Sequence, residues 1–146
     1  MNIRKMTAAD LEQVCVIEEE TFSDPWSRED FQNALLDEKN EYLVAEAGGR
    51  IAGYCGFWGV VGEGDIFNVA VKKEFRRQHI GERMLKELIG RGIARGITSF
   101  TLEVRSSNEA AIRLYETLGF TKSGLRRDFY SKPREDAVIM WLNTIQ

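Results

Sequence analysis

Arg76, Arg77, Gln78 and His79 form a cationic turn between an apolar run and a helical pattern, a combination suited to binding an anion. The surrounding stretch, residues 69–85, reads VAVKKEFRRQHIGERML. The apolar run Ile66–Val71 predicts a strand, Lys72–His79 a basic loop, and Gly81 the opening of a helix. At such a junction unpaired N–H groups and the positive end of the helix dipole point at one spot. Arg76 and Arg77 add full charges and forked donors that match phosphate. The turn from Arg76 through Ile80, Gly81 and Glu82 is therefore expected to hold the phosphates of a cofactor.

Three further residues carry chemistry. Glu103 closes a predicted strand, at the end where ligands bind in α/β sheets. By residue type alone it reads as a carboxylate paired with Arg105 or another surface cation. Asn108 and Tyr115 lie on the helix that follows. Asn108 suits the helix start, and a tyrosine at helical spacing reads first as core. One histidine and the scattered cysteines Cys15 and Cys55 make no metal-ligand set, so no metal is expected. The basic turn lacks the Gly-Lys-Ser/Thr ending of a nucleotide P-loop, which argues against ATP hydrolysis.

The elements that must position these residues follow from periodicity and punctuation. A short strand is predicted at Asn2–Lys5. Thr7 and Asp10 form a weak capping box for a helix reaching about Thr21, with Leu11, Val14, Cys15 and Ile17 or Glu18 on one side. Pro25 breaks it, and Ser27 with Asp30 caps a second helix to about Asp37. Strands are expected at Glu41–Ala47 and Ile51–Val61 around the Gly48–Gly49 turn, then up to Val71, as an antiparallel meander. A helix from Gly81 to about Gly96, a strand at Ser99–Val104 and a helix at Glu109–Leu118 come next. Phe120–Tyr130 and Ala137–Leu142 read as a closing hairpin around Pro133. The order β-α-α-β-β-β-α-β-α-β-β is an α/β layer fold, expected as one domain over residues 1–146.

The segments VAVKKEFRRQHIG (69–81) and LEVRSSNEAAIRLYETLGF (102–120) resemble the GNAT (Gcn5-related) N-acetyltransferases. Asp24-Pro25-Trp26-Ser27 and Phe67-Asn68-Val69-Ala70-Val71 resemble the RimI-type members, which acetylate the amino-terminal alanine of the small-subunit ribosomal protein numbered eighteen. The resemblance covers essentially the whole chain. It implies a mixed, mainly antiparallel sheet of about seven strands flanked by four helices, and acetyl-CoA as donor. It also implies Glu103 as the base that takes a proton from the attacking amine, and Tyr115 as the acid that protonates the leaving thiolate. The strand Phe67–Val71 would supply an oxyanion N–H and, through Val69, Ala70 and Val71, backbone groups for the pantetheine arm. Asn108 would fix its helix or touch that arm. Trp26, Asn68 and Tyr130 would line the substrate cleft, between Pro25–Trp26 and the hairpin near Arg126–Tyr130; core packing explains Trp26 and Tyr130 equally well. His79 stands where the family loop has its first glycine, which leaves open whether pyrophosphate binding is weaker there or gains a donor.

Composition limits the partners. The chain has 146 residues, 43% hydrophobic and 29% charged, with net charge −3, which argues against a general nucleic-acid binder. Acidic residues gather early (Glu18, Glu19, Glu20, Asp24, Glu29, Asp30, Asp37, Glu38), as a solvated helix face or as a surface attracting a cationic substrate. No window is apolar enough to span a membrane, and the opening MNIRKMTAADLEQV lacks a signal peptide's apolar core. The two cysteines form no CxxC, read as buried, and fit a reducing cytoplasm. The expected partners are CoA and a basic, ribosomal protein N-terminus, with a monomer or weak dimer as the assembly. Acetylation of a small-molecule amine, and a non-catalytic acyl-CoA-binding module suggested by His79, are the competing readings.

Overall fold

The computed structural model describes residues 1–145. Seven strands form one sheet in the order β1-β2-β3-β4-β5-β7-β6: β1 Asn2–Lys5, β2 Glu41–Ala47, β3 Arg50–Val60, β4 Glu63–Val71, β5 Ser99–Arg105, β6 Thr121–Ser131 and β7 Arg134–Asn143. Four α-helices flank it: α1 Leu11–Thr21, α2 Arg28–Leu36, α3 Ile80–Ala94 and α4 Glu109–Thr117. All strand pairs are antiparallel except β4 with β5. This is the mixed, mainly antiparallel sheet with four helices that the resemblance implies.

Local chemistry explains most boundaries. Ser27 accepts from the Asp30 N–H at 3.1 Å and Asp30 accepts from the Ser27 N–H at 2.9 Å, a complete capping box at the start of α2. The Thr7–Asp10 box is also present, but it opens a short 3₁₀ turn, Ala8–Asp10, so α1 begins at Leu11. Arg4 grips Asp10 with two 2.8 Å hydrogen bonds, which tie the Asp10 carboxylate to β1. β4 begins at Glu63, well before the apolar run, because the tight turn after Val60 pairs Val60 with Glu63 and extends the ladder. β7 lies between β5 and β6, so the last hairpin joins the sheet through its second strand.

Two apolar cores sit on the two faces of the sheet. One packs α3 and α4 against it through Met84, Leu85, Leu88, Ile112 and Tyr115. The other packs α1 and α2 through Leu11, Val14, Ile17 and Phe31. Cys55 is fully buried in the first core and Cys15 is partly buried beside the second. Gly56 lets Tyr42 lie flat across β3: a Cβ there would fall 2.2 Å from the Tyr42 ring. No helix among the described residues is long and apolar enough to cross a membrane.

Candidate active site

The sheet opens where β4 and β5 part. They pair in parallel only at Glu63 with Ser99, Gly64 with Phe100 and Asp65 with Thr101. Beyond Asp65 the strands diverge, and a cleft of about 680 Å³ lies between them, reaching Asn68 and Val69 on one side and Glu103, Asn108 and Tyr115 on the other. β4 also loses register with β3: Gly56 pairs with Phe67 and Tyr54 with Ala70, so Asn68 and Val69 both stand opposite Cys55. Asn68 at φ 53° makes the bulge. The strand thus reaches the cleft with backbone groups free for a ligand.

At the end of β4 the cationic turn folds back on itself. Arg77 and His79 are both left-handed, at φ 65° and φ 60°, so His79 holds the backbone conformation that glycine adopts without strain. Among the described residues, no N–H from residues 77–82 donates to a protein acceptor. These unpaired amides lie at the start of the 15-residue α3, an arrangement able to hold an anion. Arg76 is partly engaged, donating from Nε to the Val71 carbonyl at 3.1 Å, which ties the loop to β4. The exposed His79 ring lies 3.7 Å from Glu82.

Glu103 projects into the cleft from β5. Its Oε2 is buried without a hydrogen-bond partner among the described residues, and Arg126 Nη1 on β6 lies 3.3 Å away. Of the two alternatives, Arg105 or another surface cation, the neighbouring cation is the exposed Arg126. Arg105 is occupied elsewhere: it donates to the carbonyls of Lys132 and Pro133 at 3.0 and 2.9 Å, pairs with Glu135 at 3.2 Å, and stacks 4.3 Å over the Tyr130 ring. Tyr115 is 8% exposed and packs edge-on against Phe120. Burial, reinforced by the nearby Tyr130, pushes its phenol well above the ordinary tyrosine range. Asn108 caps α4, accepting from the Ala111 N–H at 3.2 Å.

A second cavity of about 610 Å³ adjoins the cleft, between the α1–α2 connection and the β6–β7 hairpin. Trp26 and Tyr130 line it, and Trp26 also packs on Phe31, 5.1 Å between centroids, so it serves cavity wall and core together. Glu18 is the residue beside the site that reading the charge pattern missed. It is 2% exposed rather than part of a solvated face. It accepts from the Tyr54 hydroxyl at 2.5 Å, from the Trp26 N–H at 3.0 Å, and from Asn68 Nδ2 at 3.4 Å to each oxygen. Trp58 Nε1 donates to the Tyr42 hydroxyl at 2.9 Å, which in turn donates to Asn68 Oδ1 at 3.4 Å. A signal was present: Glu18 follows Leu11 and Val14 at helical spacing and falls on their buried stripe.

The chain and its fold are similar to those of known proteins. The model of the acetyltransferase (GNAT) family matches residues 10–120. A Salmonella typhimurium protein named ribosomal protein bS18-alanine N-acetyltransferase is 37% identical over 139 residues, covering 94% of this chain and 93% of the relative. Its Escherichia coli (strain K12) counterpart is 35% identical over 142 residues, covering 96% and 95%. A crystal structure of the ribosomal-protein-S18-alanine N-acetyltransferase from Escherichia coli superposes with a TM-score of 0.91 at 35% identity, covering 99% of this chain and 94% of that one.

Proposed function

This chain belongs to the GNAT acetyltransferase family, and on that premise we propose that it transfers acetyl from acetyl-CoA to the amino-terminal α-amine of a protein. The substrate named for its relatives, the alanine terminus of ribosomal protein bS18, is the one we assign. The observation that carries the reading is Glu103: a carboxylate with an unsatisfied buried oxygen, in the cleft opposite a bulged strand with free backbone.

The chemistry requires a base because an α-ammonium, with a reference pKa of about 7.7–8.0, cannot attack while protonated. Glu103 Oε2 can accept that proton directly or through a water. The neutral amine attacks the acetyl carbonyl, and the oxyanion of the tetrahedral intermediate forms beside the bulge, where a β4 N–H near Val69 is the donor. Collapse breaks the C–S bond: Tyr115, held neutral by burial, gives its proton to the thiolate and regains one from the second proton that the attacking nitrogen sheds, so that amide, thiol and neutral phenol result. The amides of residues 77–82, with Arg76 and Arg77, fit the pyrophosphate; Val69–Val71 fits the pantetheine amides. These residues hold the donor in line with the amine, a positioning effect worth several orders of magnitude in rate. Trp26, Asn68 and Tyr130 border the peptide. The whole chain acts as one catalytic domain, in the cytoplasm where ribosomal proteins are modified.

Peptide-dependent release of the CoA thiol tests this reading. An alanine-starting basic peptide should release thiol rapidly, whereas the same peptide with a blocked amino terminus should release none. Faster release with small amines than with the peptide would favour the small-molecule reading, and acetyl-CoA binding with no release by any amine would favour a binding module.

A further inference from the structure

Glu18 has no cation within ion-pair distance among the described residues. Its oxygens instead accept from neutral donors on three separate segments: Tyr54 on β3, Asn68 on β4 and the Trp26 backbone. A carboxylate this buried is tolerated only where such donors converge on it. Asn68 borders both clefts and Trp26 lines the second, so two of the three donors stand at the site itself.

Asn68 is the residue that bulges β4. Asparagine enters the left-handed region more readily than most residues, and contacts on its side chain select that conformation here. Both ends of its amide are held: Nδ2 by Glu18 and Oδ1 by the Tyr42 hydroxyl. The same carboxylate grips Tyr54, which pairs with Ala70 at the far edge of the bulge. Glu18 therefore ties α1 to both strands across the register shift.

We propose that Glu18 is a positioning residue for acetyl transfer, locking the Asn68–Val69 bulge that turns the β4 backbone toward the acetyl donor. The proposal rests on the acetyltransferase reading above. Glu18 borders the second cavity but is only 2% exposed, and both its oxygens are engaged by protein donors. Its effect is exerted on the backbone that receives the oxyanion, so it belongs in the turnover rate rather than in peptide affinity.

The test uses Glu18→Gln, Asn68→Gly and the double variant, with amide hydrogen exchange and steady-state kinetics on the intact chain. Glu18→Gln sets an amide donor against one of the three existing donors. Asn68→Gly keeps the backbone freedom and removes the held side chain. Exchange over residues 66–71 should speed up in both single variants, by roughly tenfold, with α3 unchanged. Turnover with acetyl-CoA should fall roughly tenfold to a hundredfold in both single variants, the scale of a small misplacement, and in Glu18→Gln the peptide KM should stay within about twofold of wild type. The double variant should be no slower than the worse single one. Wild-type exchange and turnover in Glu18→Gln would overturn the proposal, as would a raised peptide KM with turnover intact, which would make Glu18 a counter-charge for the substrate. Should Glu18→Gln fail to fold, wild-type exchange in Asn68→Gly overturns it alone. A wild-type protein that acetylates no amine would sink the acetyl-transfer reading, while exchange over residues 66–71 still decides the lock.

Discussion

Glu103 Oε2 and Arg126 Nη1 lie 3.3 Å apart across the cleft, with no hydrogen bond aligned between them. Arg126 is more than half exposed and sits where β6 loses register with β7 between Arg126 and Tyr130. The guanidinium thus stands where an incoming ammonium must approach the carboxylate. With its Arg126 end open to solvent and no aligned hydrogen bond, the pair is weak, so the substrate can displace it.

From that geometry, Arg126→Ala should lower peptide KM by at most about fivefold, the limit set by an exposed ion pair. Initial-rate kinetics over a range of peptide concentrations would show it. A large rise in KM would instead mean that Arg126 holds the peptide.

Glu103→Gln keeps the shape of the side chain and removes the base. Turnover should fall by about 10²–10⁴-fold, the usual range for a positioned general base, with acetyl-CoA affinity unchanged by calorimetry. The residual rate should rise with pH as the free amine accumulates. Wild-type turnover at neutral pH would remove Glu103 from the mechanism.

How much of this was legible in the chain differs by residue. Ser27 with Asp30, the Gly48–Gly49 turn and the strand–loop–helix at Val71–Gly81 are local signals, and the elements stand close to where those signals put them. Helical spacing left Ile17 or Glu18 as alternatives for the packed side of α1 while the run Glu18–Glu20 read as a charged face, and the structure buries both Ile17 and Glu18. The Glu18 partners Tyr54 and Asn68 are 36 and 50 residues away, so nothing local announces the contact. The same holds for Glu103: its neighbour in sequence, Arg105, is turned toward Tyr130 and Glu135, and the facing cation comes from β6. Non-local pairing, not propensity, decides both.

Tyr115→Phe removes one hydroxyl from a packed site and should leave the fold intact. Turnover should drop with little change in peptide KM, because the proton is needed only as the thiolate leaves. The buried phenol keeps its proton above the ordinary tyrosine range, so no alkaline loss of activity from this group is expected below about pH 10.

The same burial carries a stability prediction. Tyr42, Tyr54 and Tyr115 all have raised pKa values in the folded chain, chiefly through burial. The unfolded chain therefore loses these protons first. Their contribution is fully present below about pH 10 and is lost as pH rises from there toward the folded values. Thermal unfolding followed between roughly pH 8 and pH 11 should show a melting temperature that begins to decline at about pH 9, where the unfolded chain ionises the thiol that folding buries at Cys55, and that declines more steeply above about pH 10 as the tyrosines follow.

His79 offers a test of the anion cradle. His79→Gly relieves the left-handed strain and should stabilise the fold by up to about 1 kcal/mol while preserving CoA binding. His79→Val places a β-branched residue at φ 60° and should weaken CoA binding by roughly tenfold through strain in the turn. Calorimetric titration with CoA separates the two, and equal affinity in both variants would mean that the turn does not grip the phosphates.

The most direct measurement is the position of the acetyl group. The protein should be mixed with acetyl-CoA and a peptide that starts with alanine and carries an internal lysine, and the product fragmented in a mass spectrometer. We expect a single acetyl on the α-amine, formed by the wild type and nearly absent with Glu103→Gln. Acetyl on the lysine side chain, or none on the peptide while acetyl-CoA binds, would contradict amino-terminal acetyl transfer by this cleft.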